Sequence, residues 1–209
     1  MAPAIWLSLF GAFVVISLTP GAGAVNTMSN SISVGWRRSM WGIIGQQAAL
    51  LVHVAIVAAG VGVLVAGSPV IFNTIRVLGA AYLAYLGVRL ILTRPVGGPA
   101  GVDPTALSTE SAGSLVRRGF WVNLLNPKAI VFFLAFMPQF IRPDQPLLPQ
   151  YAILAATVVA VDTLVMWFFF AAAAKPFRRA VSSARGQRIM NTVFGSLFVG
   201  VAALLLFVH

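Results

Sequence analysis

No cysteine occurs in the 209-residue chain, so disulfides, thiolate metal sites and a cysteine nucleophile are excluded. Charge is scarce as well: only 9% of residues are charged, against about a quarter in a soluble domain. Four acidic residues and two histidines are too few and too scattered to form a metal-ligand cluster. No GxxxxGK[ST] loop is present, so the chain does not itself hydrolyse ATP. Gly21-Ala22-Gly23 follows no strand and is no dinucleotide fingerprint. No cofactor is expected.

What the chain has in abundance is apolar surface. Hydrophobic residues make up 59% of it and the mean hydropathy is +0.94. Crossing the hydrocarbon takes about twenty mostly apolar residues, and six stretches qualify: 4–30, 40–66, 69–92, 119–141, 151–174 and 189–208. The first has no Lys or Arg before it, so it lacks the basic start of a cleaved signal peptide and reads as a membrane helix. A net charge of +10 would point to nucleic acid in a soluble protein. Here the positive residues lie between apolar runs, where they set topology and meet anionic lipid. No nucleic-acid partner is expected; the lipid bilayer is.

The basic residues are shared unevenly. Loops one, three and five carry Arg37, Arg38, Arg94, Arg117, Arg118, Lys175, Arg178, Arg179, Arg185 and Arg188, while loops two and four carry Arg142 alone, with Arg76 near an edge. The positive-inside rule places the odd loops in the cytoplasm and both termini outside. Segment 93–118 is rich in Gly, Pro, Ser and Thr and reads as a cytoplasmic linker. Residues 175–188 read either as an ordinary loop or as a basic interfacial helix.

A faint repeat runs through the chain. Asn73-Thr74-Ile75 and Leu78-Gly79-Ala80 of the third span match Asn191-Thr192-Val193 and Phe194-Gly195-Ser196 of the sixth. The first and fourth spans are both interrupted by proline, at Thr19-Pro20-Gly21 and Asn126-Pro127-Lys128. A three-span unit repeated once is inserted upside down the second time. The expected fold is therefore an all-α membrane protein of six transmembrane helices, two inverted three-helix repeats over 1–92 and 119–209. Paired interruptions in such halves mark a transporter binding site.

Each proline removes one backbone hydrogen bond, freeing the carbonyl four residues earlier: Ile16 for Pro20 and Asn123 for Pro127. Each break also starts a half-helix whose N-terminal amides favour a carboxylate. Asp162 lies mid-span, where insertion costs about 2.5–3.5 kcal/mol, so it should face the bundle interior with a partner. Gln46 and His53 are seven residues apart on one face of the second span, and a histidine exchanges protons near neutral pH. Asn123 and Asn126 share a face beside Pro127. Lys128 either binds a carboxylate or snorkels to the surface.

Taken in order, Ser17-Leu18-Thr19-Pro20-Gly21-Ala22-Gly23-Ala24-Val25-Asn26-Thr27-Met28 and Phe120-Trp121-Val122-Asn123-Leu124-Leu125-Asn126-Pro127-Lys128 resemble the LysE/RhtB superfamily of bacterial amino-acid exporters. Within it, the homoserine and homoserine-lactone exporter branch is the most similar. The likeness covers nearly the whole chain, with further support from Gly79-Ala80-Ala81-Tyr82-Leu83, Val161-Asp162 and Phe194-Gly195-Ser196. It implies a multi-pass inner-membrane exporter of small amino acids, coupled to protons. Many members read Pro-Gly-Pro-Asn where this chain has Pro20-Gly21-Ala22-Gly23. Some carry an acidic residue where Gln46-Gln47 stands, so homoserine, its lactone or threonine fits better here than lysine or arginine.

The expected substrate residues are Pro20, Gly21, Gly23, Asn26, Gln46, Asn123, Asn126, Pro127 and Lys128, with Asp162 and His53 handling protons. A chain this small can pair as a homodimer, although no motif demonstrates it. Two rivals remain: a membrane-embedded enzyme using His53 and Asp162 on a lipidic substrate, and a non-transporting scaffold. The enzyme lacks a nucleophile with an oxyanion site, and the scaffold leaves Asp162 without a role.

Overall fold

Two prolines shape the architecture. In the computed structural model, which describes residues 1–67, 69–94, 110–176 and 183–207, helix α1 spans Pro3–Leu18. It stops because Thr19 must be extended ahead of Pro20, and its φ of −76° and ψ of 114° are extended. The chain then bends by 56° into α2, Ala22–Val34, and Gly35 with φ +87° turns it sharply again. Helix α3 follows over Trp36–Gly67 and α4 over Pro69–Leu92.

The fourth stretch repeats the pattern of the first. Helix α5, Ala112–Leu124, starts at a Ser111 cap that accepts from Ser114 N. Asn126 is extended ahead of Pro127, caps the amide of Lys128, and opens α6, Pro127–Ala135. The bend here is 55°, and a 3₁₀ turn, Met137–Phe140, ends the segment. Helix α7, Leu147–Leu164, runs into a π-helical stretch, Val165–Ala171, and α8 covers Ala184–Phe207. Among the described residues no strand occurs.

Among the described residues, four helices are individually long and apolar enough to cross a membrane, and counting each bent pair as one span brings the number to as many as six. Several helices outrun their predicted spans. Helix α5 begins at Ala112 rather than 119, because Arg117 and Arg118 lie within an amphipathic helix and lowered its apparent hydropathy. Arg185 and Arg188 belong to α8, continuous with the sixth stretch rather than with a loop or interfacial helix. The rest of the linker reading falls largely on residues 95–109, and that of the basic segment on 177–182, outside the described residues.

Close backbone contact holds the bundle together. Helix α3 packs most extensively on α5, and α4 on α8. A side chain on Gly45 would strike the carbonyl oxygen of Val116, and one on Gly119 that of Gly42, so α3 and α5 touch through small residues as membrane helices do. Gly87 and Gly195 play the same part between α4 and α8, each missing Cβ lying 2.6 Å from the other's carbonyl oxygen. Phe13 and Ile16 of α1 meet Phe132 and Phe133 of α6, and Phe136 just after it, in the main core. Outward-facing Val70 and Leu92 are 73% exposed, a surface suited to lipid rather than water.

The π-helical stretch is held from α2 and α3. Ser31 Oγ donates to the carbonyl of Ala171 at 2.6 Å. Trp36 Nε1 donates to that of Trp167 at 3.1 Å, and the two indoles stack at 4.7 Å. Such turns leave carbonyls misaligned with their own helix and recur at functional sites.

Candidate functional site

Three helices converge on Asp162. Its Oδ1 accepts from Ser17 Oγ of α1 at 3.2 Å, and its Oδ2 from Gln47 Nε2 of α3 at 2.9 Å. The carboxylate is buried two residues before α7 gives way to the π-helical stretch. An acid at this depth must have partners, and both are neutral donors.

Lys128 joins the two breaks. Its ammonium, carried on the second residue of α6, donates to the carbonyls of Ile16 at 3.1 Å and Thr19 at 2.6 Å. Ile16 is the residue whose carbonyl Pro20 releases from its helical partner. The Lys128 ammonium therefore turns inward onto the end of α1, and it lies 5.9 Å from the centroid of the Phe198 ring, within cation–π range. Gly21 makes room for it: a Cβ there would stand 3.2 Å from Lys128 Cε.

A second set of contacts surrounds Gly23. Gln46 Nε2 donates to its carbonyl at 3.1 Å and to Thr27 Oγ1 at 3.0 Å. A Cβ on Gly23 would lie 3.2 Å from Gln46 Oε1 and 3.3 Å from Asn123 Oδ1. Among the described residues, Gln46 Oε1 has no donor. Asn123 Nδ2 donates to the carbonyl of Gln46 at 3.1 Å. The carbonyl of Asn123, released by Pro127, accepts from Asn126 N at 3.2 Å and faces His53 Nε2 at 3.5 Å. The N-cap of α2 is Gly21, which has no side chain with which to cap the first amides of the helix.

Between these groups lies a cavity of about 30 Å³, lined by Ser17, Gly23, Asn123, Asn126, Lys128 and Asp162, with aromatic walls from Phe13, Phe132 and Phe133. That volume holds a water or two and falls far short of the roughly 300 Å³ at which ligand pockets begin. At this size the cavity does not enclose an amino acid. Lys128 and Asp162 share the cavity without forming an ion pair within 4 Å.

Of the residues expected from the sequence, Gly23, Asn123, Asn126, Lys128 and Asp162 line this cavity together. Pro20, Gly21 and Pro127 build the breaks beside it, and Gln46 backs Gly23. His53 stands apart from it, stacked on the Phe133 ring at 5.4 Å. Asn26 also lies off the cavity, with its Nδ2 3.6 Å from where a Gly42 Cβ would stand. Ser17 and Gln47, the direct partners of Asp162, were not among the expected site residues. A polar residue one turn before a membrane proline was the available signal for Ser17.

The family description "LysE type translocator" matches residues 14–208. A homoserine/homoserine lactone efflux protein of Salmonella typhi is 40% identical over 201 residues, covering 96% of this chain and 95% of that protein. The protein of the same name from Salmonella typhimurium is 40% identical over the same shares. A Vibrio cholerae protein described as an uncharacterized membrane protein is 41% identical, covering 96% of both chains. No solved structure matches.

Proposed function

Since the chain belongs to the LysE type translocator family and is a transporter rather than an enzyme, we propose that it exports small neutral amino acids or derivatives from the cytoplasm by proton antiport. Homoserine, its lactone and threonine are the substrates of choice, in keeping with the names of the two Salmonella relatives. The excess of Lys and Arg in the odd loops supports insertion into a bacterial inner membrane with both termini outside. Residues 1–92 and 119–209 act as two oppositely inserted halves around the site, joined through 93–118.

The observation that carries this reading is the cavity shared by Asp162 and Lys128 at the meeting of the two helix breaks. An amino acid is a zwitterion, and the cavity offers one group of each sign. The substrate carboxylate sits by Lys128 and the uncapped amides of α2, where the helix end favours negative charge. A lactone presents its carbonyl oxygen there instead. Asp162 takes the ammonium. Loading from the cytoplasm displaces the proton that Asp162 acquired outside, so substrate and proton alternate on one carboxylate. That exclusion is antiport. Since the cavity does not enclose an amino acid at this size, the halves must part to admit substrate.

Counterflow in proteoliposomes tests it, with unlabelled homoserine, threonine, leucine or lysine inside and the labelled form outside. Homoserine or threonine uptake that disappears in Asp162→Asn is the expected result. Normal export by folded Asp162→Asn sinks the antiport mechanism.

A further inference from the structure

Between α2, α3 and the start of α5 lies a second polar cluster, at the end of the bundle that carries Arg37, Arg38, Arg117 and Arg118. Arg118 of α5 pairs through Nη1 with Glu110 Oε2 at 2.8 Å and donates through Nη2 to Asn30 Oδ1 of α2. Glu110 is tied down in turn, its Oε1 accepting from Ser114 Oγ at 2.7 Å and its main-chain oxygen from Arg38 Nη2 at 2.8 Å. Among the described residues this is the one ion pair.

Several donors of the cluster lack acceptors, while Glu110 Oε2 has the Arg118 ion pair as its one contact among the described residues. Asn30 is fully buried and Asn26 is 8% exposed. Among the described residues Asn30 Nδ2, Asn26 Nδ2 and Arg118 Nε are all buried without an acceptor. Both amide nitrogens approach the place where Gly42 of α3 lacks a side chain, and Asn30 links that place to the guanidinium. Buried donors are ordinarily satisfied, and two amide nitrogens at one place with a guanidinium bonded to Asn30 suit the oxygens of a carboxylate, which a guanidinium grips with two parallel bonds. From Asn30 the same face of α2 continues through Asn26 to Gly23 of the central cavity, seven residues or about 10 Å along the helix.

We propose that Arg118, Asn30 and Asn26 form a cytoplasmic loading site for the substrate's α-carboxylate, which replaces Glu110 on Arg118 before the substrate moves along α2 to the cavity. The proposal rests on the exporter reading above. It makes Arg118 a residue that distinguishes substrates by charge, because homoserine has a free carboxylate and its lactone has none.

Uptake into everted membrane vesicles, whose cytoplasmic face meets the added solute, separates the cases. Arg118→Gln should raise the half-saturation for homoserine about tenfold or more, the range for a lost charge-assisted hydrogen bond, and leave that for the lactone within about twofold. Glu110→Gln, which removes the competitor, should lower the homoserine value. If Arg118→Gln does not fold, Arg118→Lys keeps the charge and loses the fork, and should still raise the homoserine value alone. Equal changes for both substrates, or none, in a variant that inserts normally would overturn the loading site and leave the exporter reading intact. Wild-type protein that moves neither substrate defeats the exporter reading, and the loading site falls with it.

Discussion

The ammonium of Lys128 rests 3.1 Å from the carbonyl oxygen of Ile16, which Pro20 leaves without its α-helical donor and which otherwise accepts from Thr19 N at 3.2 Å. One broken span thus supplies the acceptor and the other the donor, and the break at Pro20 is stabilised from the break at Pro127.

Removing that donor should therefore cost stability as well as transport. Lys128→Met leaves the oxygens of Ile16 and Thr19 without their ammonium and is expected to destabilise the protein by about 1–3 kcal/mol. Adding Pro20→Ala restores an N–H four residues after Ile16 and should recover part of that loss, while transport stays absent. Thermal melts of the single and double variants in detergent, with counterflow alongside, check this. Melting temperatures that simply add would show that Lys128 and the break at Pro20 act independently.

A second expectation concerns the α3–α5 contact. Gly119→Ala and Gly45→Ala each drive a methyl group into a main-chain oxygen of the facing helix, and overpacking of this kind costs about 1–3 kcal/mol or more. Gly11→Ala, with nothing within 4 Å of the added carbon, is the control and should melt close to the wild type. Similar melting temperatures for all three would mean that the helices separate easily in detergent.

The two breaks were legible in the sequence because a proline acts on backbone bonding wherever the helix happens to sit. Burial of Asp162 was legible for the same kind of reason, since a lone acid in an apolar run has to face inward. Its partner was not. Gln46 and Gln47 are neighbours in sequence but point about 100° apart on a helix, and which of them meets Asp162 depends on how α3 is rotated against α7. Spacing grouped Gln46 with His53 and named no partner for Asp162; Gln47 makes the bond at 2.9 Å. His53 fell outside the cavity by the same rotation, turned toward α5 and the Phe133 ring. Arg118 was read only as a topology signal, since nothing in a run of basic residues tells which one folds back onto Asn30.

Gly23 allows stability and transport to be pulled apart. Its missing Cβ would lie 3.2 Å from Gln46 Oε1 and 3.3 Å from Asn123 Oδ1, both acceptors, so Gly23→Ala brings a methyl group against two oxygens and also narrows the cavity. A modest loss of stability and a large loss of counterflow are expected. Gly23→Ser occupies the same space but carries a hydroxyl, which can donate to the partnerless Oε1 of Gln46. A new hydrogen bond to a buried acceptor contributes about 1 kcal/mol, so the serine variant should melt above the alanine variant by a few degrees. Transport should nevertheless be lost in both, because the cavity of about 30 Å³ has no room to give up. Serine and alanine variants that melt alike would place the Gln46 oxygen out of reach. Counterflow retained in both would mean that substrate does not pass Gly23, and the central site would have to be sought elsewhere among the helices.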